Sequence, residues 1–109
     1  MPTVGVADLK DGDFLLDVRE DEEWKAGHAE GALHIPMSEF VARYGELTGA
    51  APQDGRVHVI CRSGGRSAQV AVYLVQQGVD AVNVDGGMQV WEAVGRRVVT
   101  DDGTPGTIV

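Results

Sequence analysis

The sequence predicts an α/β fold, a parallel sheet flanked by helices on both faces, and three observations carry that expectation. Short apolar runs rich in β-branched residues alternate with segments whose apolar residues recur at helical spacing. Parallel neighbours need crossover connections, and helices between the strands supply them while covering a sheet that has to be buried on each side. No internal repeat, heptad or low-complexity block points to another architecture.

Behind the turn Asp11-Gly12-Asp13, the run Phe14, Leu15, Leu16, Asp17 and Val18 reads as a buried strand that ends at Arg19. Glu20 to Ala26 is acidic at its front and carries Lys25 near its end, which suits a helix dipole; Gly27 stops it. This is a short surface helix whose start, Glu20 to Glu23, is expected to be solvated. Ala32 to Ile35 is a second strand closed by Pro36, and Ser38 with Glu39 opens an amphipathic turn carrying Phe40, Val41 and Tyr44. Between Tyr44 and Arg56 the glycines, proline and small residues predict a surface connection. Val57 to Ile60 is the clearest strand and runs into Cys61. Ser67 to Gln77 is a helix with apolar residues at 70, 71, 74 and 75, capped by Gly78. Val82 to Val84 is a strand, Asp85-Gly86-Gly87 a tight turn, and Met88 to Val94 a helix around Trp91. The polar, glycine-containing end frays or wraps the surface.

A chain of 109 residues suits one domain, 1–109, because two independent cores would each be too small to bury enough apolar surface. No segment approaches the roughly 18 consecutive apolar residues of a membrane span, and the first residues lack the pattern of a secretion signal, so a soluble cytoplasmic protein is expected. The net charge of -8 argues against nucleic acid and anionic membranes as partners, since phosphates are held by clustered Lys and Arg. With a single cysteine there is no intrachain disulfide and no multi-cysteine zinc site, leaving an inert buried thiol or a reactive one.

The neighbours of Cys61 favour the reactive thiol. It stands where a central strand ends and a loop turns into a helix, the place where open α/β sheets bind ligands. In Arg62-Ser63-Gly64-Gly65-Arg66-Ser67, the two glycines allow positive φ, so that N–H groups point inward as an anion-holding concavity, and Ser67 is placed to cap the helix. These N–H groups, the helix dipole, Arg62 and Arg66 are expected to lower the thiol pKa from ~8.5 into the roughly 3.5–7.5 range of such sites. Two of the nine Lys and Arg residues lie in this loop of an acidic chain, which points to an anionic substrate. Asp17 and Arg19 are supporting residues that orient loops through hydrogen bonds and an ion pair. His28, His34 and His58 are irregularly spaced and read as structural, with no metal claimed; Trp24 and Trp91 read as packing.

From about Val4 to Val99 the sequence resembles the rhodanese family. Leu16-Asp17-Val18-Arg19, Glu23-Trp24 and the stretch Gly27 to Pro36 resemble its first signature; Cys61 to Arg66 resembles its active-site loop, and Asp85 to Trp91 its closing signature. The resemblance implies a five-stranded parallel sheet, a core of about 4–99 with a tail 100–109, a catalytic Cys61 and substrate contacts from Arg62, Ser63, Gly64, Gly65, Arg66 and Ser67. It implies that the Cys61 thiolate takes sulfur from thiosulfate or a persulfide donor and passes it, as a persulfide, to cyanide, a thiol or a protein sulfur acceptor, with no cofactor. Basic side chains in the loop make thiosulfate the expected donor. Ala29-Glu30 departs from the family's usual Ile-Pro, in what reads as a surface connection.

Two other classes use or keep such a loop. Cysteine phosphatases and arsenate reductases resemble Cys-x5-Arg, whereas Arg66 follows Cys61 with four residues between, a loop better sized for one sulfur than for a tetrahedral anion. A binding module without catalysis is the other alternative, although such modules often lose the cysteine that stands here.

Overall fold

The protein is described by a computed structural model covering residues 2–53 and 55–109. Its strands are β1 (Thr3–Gly5), β2 (Phe14–Asp17), β3 (Leu33–His34), β4 (Val57–Ile60) and β5 (Ala81–Asp85), and its helices are α1 (Asp21–Ala26), α2 (Tyr44–Ala50), α3 (Gly65–Gln76) and α4 (Gly87–Ala93). The strands form one five-stranded sheet in the order β1-β5-β4-β2-β3, with every neighbouring pair parallel. Four of these strands match expected runs. The fifth, β1, was not legible, because three residues at a sheet edge carry too few side chains to show a period.

Side chains alternate across the sheet and build a core on each face. Val57, Val59 and Cys61 of the β4 segment, with Leu16, Val18 and Ala81, pack on Val70, Ala71 and Leu74 of α3. Ile60 and Val84 point the other way and join Val6, Leu9, Ala29, Met88 and Trp91. Ala29 is 1% exposed, so the departure at Ala29-Glu30 is half core rather than surface connection; Glu30 alone is exposed, facing Arg97 at 3.8 Å.

The expected connection from Tyr44 to Arg56 is corrected by α2. Gly45 and Gly49 each disfavour a helix by about 1 kcal/mol relative to Ala, and both lie on open surface, so local propensity pointed to a loop. Burial of Leu47 to 1% exposure overrides it, and the Arg43 guanidinium steadies the first turn by donating to Glu46 at 2.7 and 2.9 Å. The C-terminal segment wraps rather than frays. Val99 and His28 exchange backbone hydrogen bonds at 2.9 Å, the Thr107 N–H donates to the Ala26 carbonyl at 2.9 Å, and the Ile108 N–H donates to Glu92 at 3.1 Å.

The end of β2 is tied to α1 by Asp17 and Arg19, both wholly buried. Arg19 Nη2 meets Asp17 Oδ2 at 2.7 Å, Nε donates to both carboxylate oxygens at 3.0 Å, and the Arg19 backbone N–H donates to Oδ1 at 3.0 Å. The remaining guanidinium donors reach the carbonyls of Glu23 at 3.3 Å and Gly27 at 2.9 Å. Among the described residues no helix is long and apolar enough to cross a membrane.

These contacts set two expectations for equilibrium denaturation. Leu47→Ala should cost about 2–5 kcal/mol, as for a packed core leucine; a cost near zero would mean that α2 is surface loop after all. Arg19→Met should cost about 3–5 kcal/mol, because it strands the Asp17 carboxylate without its partner. Both are read from the shift in urea midpoint at unchanged slope.

Candidate active site

β4 is the middle strand of the sheet, and Cys61 follows it at its carboxyl end. The β4–β5 register pairs Val57 with Ala81 and Val59 with Asn83, so alternation brings Cys61 and Asn83 to the face covered by α3. Arg62, Ser63 and Gly64 turn the chain into α3, which begins at Gly65. Gly64 holds φ +119°, a left-handed conformation that a side chain would strain, whereas Gly65 is already helical. Only one of the two expected flexible positions is therefore used as such. Gly64, not Ser67, is the N-cap, and Ser67 lies inside the first turn.

From there Ser67 serves the sulfur rather than the helix end. The Gly64 N–H donates to Cys61 Sγ at 3.1 Å, and Ser67 Oγ lies 3.2 Å from the same sulfur. The Ser67 hydroxyl donates to Asn83 Oδ1 at 2.6 Å. Cys61, Ser67 and Asn83 are all buried. Burial pushes the Cys61 thiol up; the Ser67 hydroxyl and the N–H groups of Ser67, Gly64 and Ser63 outweigh it and hold the thiol below its usual value.

The turn between β5 and α4 fixes the other side of the loop. The Met88 N–H donates to the Cys61 carbonyl at 2.8 Å and the Gln89 N–H to the Arg62 carbonyl at 3.0 Å. This approach needs Gly87, where a Cβ would sit 2.3 Å from the Cys61 carbonyl oxygen and 2.7 Å from that of Arg62. The Asp85-Gly86-Gly87 turn thus clamps the cysteine loop from the end of the adjacent strand.

The arginines do not aim at the sulfur. Arg66 forms a two-pronged pair with Glu23, Nη1 to Oε1 at 2.6 Å and Nη2 to Oε2 at 2.9 Å. Glu23 is consequently held below the usual carboxylate range, chiefly by that Arg66 hydrogen bond, and the expectation of a solvated acidic helix start fails at this residue. Arg62 is exposed and donates through Nε to the Val109 carbonyl at 2.9 Å. The thiol is lowered chiefly by a hydroxyl and by backbone amides, and the guanidinium groups expected to lead that task come behind them.

The histidines are tied to main chain. Nδ1 of His28 donates to the Trp24 carbonyl at 2.8 Å, Nε2 of His34 to the Arg19 carbonyl at 2.7 Å, and Nδ1 of His58 to the Phe14 carbonyl at 3.2 Å. Trp24 stacks between His28 and His34, with ring centroids 3.6 and 4.6 Å away. Trp91 is buried in the second core and donates to the Arg97 carbonyl at 3.0 Å. Sequence reasoning missed Asn83 and the partnership of Glu23 with Arg66. Asn83 had a signal, a polar residue inside an otherwise apolar strand; Glu23 stood out only within the Glu23-Trp24 motif, with nothing to name Arg66 as its partner.

The family model described as Rhodanese-like domain matches residues 4–94. A putative sulfurtransferase of Bacillus subtilis (strain 168), YtwF, is 44% identical over 79 residues, covering 72% of this chain and 73% of that protein. A sulfurtransferase of Allochromatium vinosum is 37% identical over 99 residues, 90% of this chain and 88% of its own. Among solved structures, a rhodanese-related protein from Thermoplasma volcanium matches with a TM-score of 0.82 at 33% identity, covering 93% of this chain and all of that one. With the family model matching over most of its length and these relatives beside it, the chain belongs to the rhodanese-like domain family.

Proposed function

We propose that the chain is a single-domain sulfurtransferase that moves sulfane sulfur from thiosulfate or a persulfide donor to a nucleophilic acceptor through a persulfide on Cys61. The observation that supports this most is a buried thiol whose ionised form is favoured by a hydroxyl and by three backbone N–H groups of its own loop. Membership of the family, with relatives named sulfurtransferases, supports the same reading.

In the first half-reaction the Cys61 thiolate attacks the outer sulfur of thiosulfate. A new S–S bond forms, the old one breaks, and its electron pair leaves with sulfite; the negative charge of the thiolate reappears on the outer sulfur of the Cys61 persulfide. With a persulfide donor RSSH the leaving group is the thiol RSH. In the second half-reaction cyanide takes the outer sulfur as thiocyanate, or a small or protein thiol takes it as a new persulfide, and the thiolate returns. Each step balances without a metal, a cofactor or a dedicated base.

Ser67 has one hydroxyl proton for two acceptors. While that proton goes to Asn83, the neutral thiol gives its own proton to Ser67 Oγ; once the sulfur is ionised it has none to give, and the hydroxyl turns to it. Asn83 Oδ1 is the alternative acceptor for that hydroxyl.

Thiosulfate or glutathione persulfide should add one sulfur atom to the intact mass of the reduced protein. Cyanide should remove it as thiocyanate, and Cys61→Ser should show neither event; an unchanged wild-type mass with both donors refutes the reading. Alkylation of Cys61 reports the thiolate directly. Because an acid with a lowered pKa stays ionised to lower pH, its rate should persist below the ~8.5 midpoint of an ordinary thiol and fall only as pH drops through the lowered value. Ser67→Ala should raise that midpoint and cut the rate about tenfold at pH values below both midpoints, the worth of about 1.5 kcal/mol for a hydrogen bond to a charged group. An unmoved midpoint would show that Ser67 only packs.

A further inference from the structure

The proposed chemistry leaves the donor open between a dianion carrying a sulfonate-like group and a persulfide that carries none. The arrangement of charge around the loop bears on that choice. Arg66 is close enough to Cys61 for the charge of the sulfur to be felt at its guanidinium, so a free Arg66 would attract thiosulfate. Its charge is not free: each terminal nitrogen donates one N–H to Glu23, in a pair whose side chains are only 33% and 18% exposed, where water screens little. The Glu20 carboxylate adds to the negative field at Arg66, and the Asp85 carboxylate lies beside Gly64 on the other flank of the loop. Arg62 keeps its charge but is exposed and directed to the Val109 carbonyl. An arriving dianion therefore meets at Arg66 a guanidinium whose charge is already balanced by a carboxylate, in a chain of net charge -8. A persulfide donor presents only its S–S bond to the loop and needs no guanidinium.

From this we infer that Glu23 is a donor-selecting residue: by occupying Arg66 it disfavours thiosulfate and leaves persulfides of thiols as the preferred sulfur source. The inference rests on the sulfurtransferase reading and reverses the weight that two loop arginines lend to thiosulfate in the sequence. Glu23 acts through Arg66 and is a positioning residue; it is not placed in contact with the transferred sulfur.

The test is steady-state kinetics of the full chain with cyanide as acceptor, comparing thiosulfate with the persulfide of 2-mercaptoethanol, a donor without carboxylate or sulfonate. In Glu23→Gln the ratio of kcat/KM for thiosulfate to that for the persulfide should rise roughly tenfold, carried by a lower KM for thiosulfate, the equivalent of ~1.4 kcal/mol. Glu23→Asp, which keeps the charge but loosens the fork, should fall between wild type and Glu23→Gln. Adding Arg66→Gln to Glu23→Gln should abolish the gain, since the freed cation is what attracts the dianion. A ratio that stays constant, or a thiosulfate KM that rises in Glu23→Gln, overturns the inference while turnover of the persulfide leaves the sulfurtransferase reading standing. Wild-type protein that takes sulfur from neither donor overturns both.

Discussion

The charges around the site are placed by a buried ion pair that has no contact with the sulfur. Asp17 and Arg19 stand at the carboxyl end of β2, and the arginine spends its other donors on the carbonyls of Glu23 and Gly27, at the middle and end of α1. Such a pair contributes little net stability, because desolvating two charges offsets much of their attraction. What it does is specify position. With each guanidinium nitrogen of Arg19 directed, α1 is held in place on the sheet, and that place brings the Glu23 carboxylate to Arg66 and His28 to the returning C-terminal segment. The sheet supplies the cysteine and α3 supplies the serine. The Asp17–Arg19 pair decides which charges those two will meet.

The inner site follows from register rather than from charge. Parallel pairing of β4 with β5 sets Val59 beside Asn83, and alternation does the rest: Cys61 and Asn83 face α3, whose first turn carries Ser67 between them. A slip of one residue in β5 would turn Asn83 toward the apolar core around Met88 and Trp91 and leave Ser67 without its acceptor. The clamp at Gly87 guards against this, since Met88 and Gln89 bind the carbonyls of Cys61 and Arg62 from the end of the same strand.

What was legible in the sequence divides along physical lines. Strands β2, β4 and β5 and helix α3 could be read because burial imposes a period on their side chains. The turn after Cys61 could be read because a glycine-bearing loop between strand and helix has a shape that follows from residue type. The edge strand β1 is too short to carry a period, and α2 runs against its own propensity, held by one buried leucine that no local pattern reveals. The arginines hid their partners for a different reason. Their charge is visible in sequence, but its availability depends on Glu23, 43 residues earlier in the chain, and on Val109, 47 residues after Arg62. Distance along the chain hides a partner, and for a charge the partner decides its meaning.

The balance at Cys61 also bears on how strongly such a site should stabilise its anion. A thiolate becomes a weaker nucleophile as its pKa falls, and the best attacking thiol has a pKa near the ambient pH. A loop built to lower the pKa as far as possible would place a guanidinium on the sulfur and keep water beside it. This one buries the sulfur, which opposes ionisation, binds Arg66 to a carboxylate, and lets Asn83 compete for the one proton that Ser67 can offer. Each feature gives back part of what the backbone amides supply. The result is a sulfur that ionises more readily than an ordinary cysteine, with burial giving back part of that gain, beside a hydroxyl that has a second acceptor in Asn83.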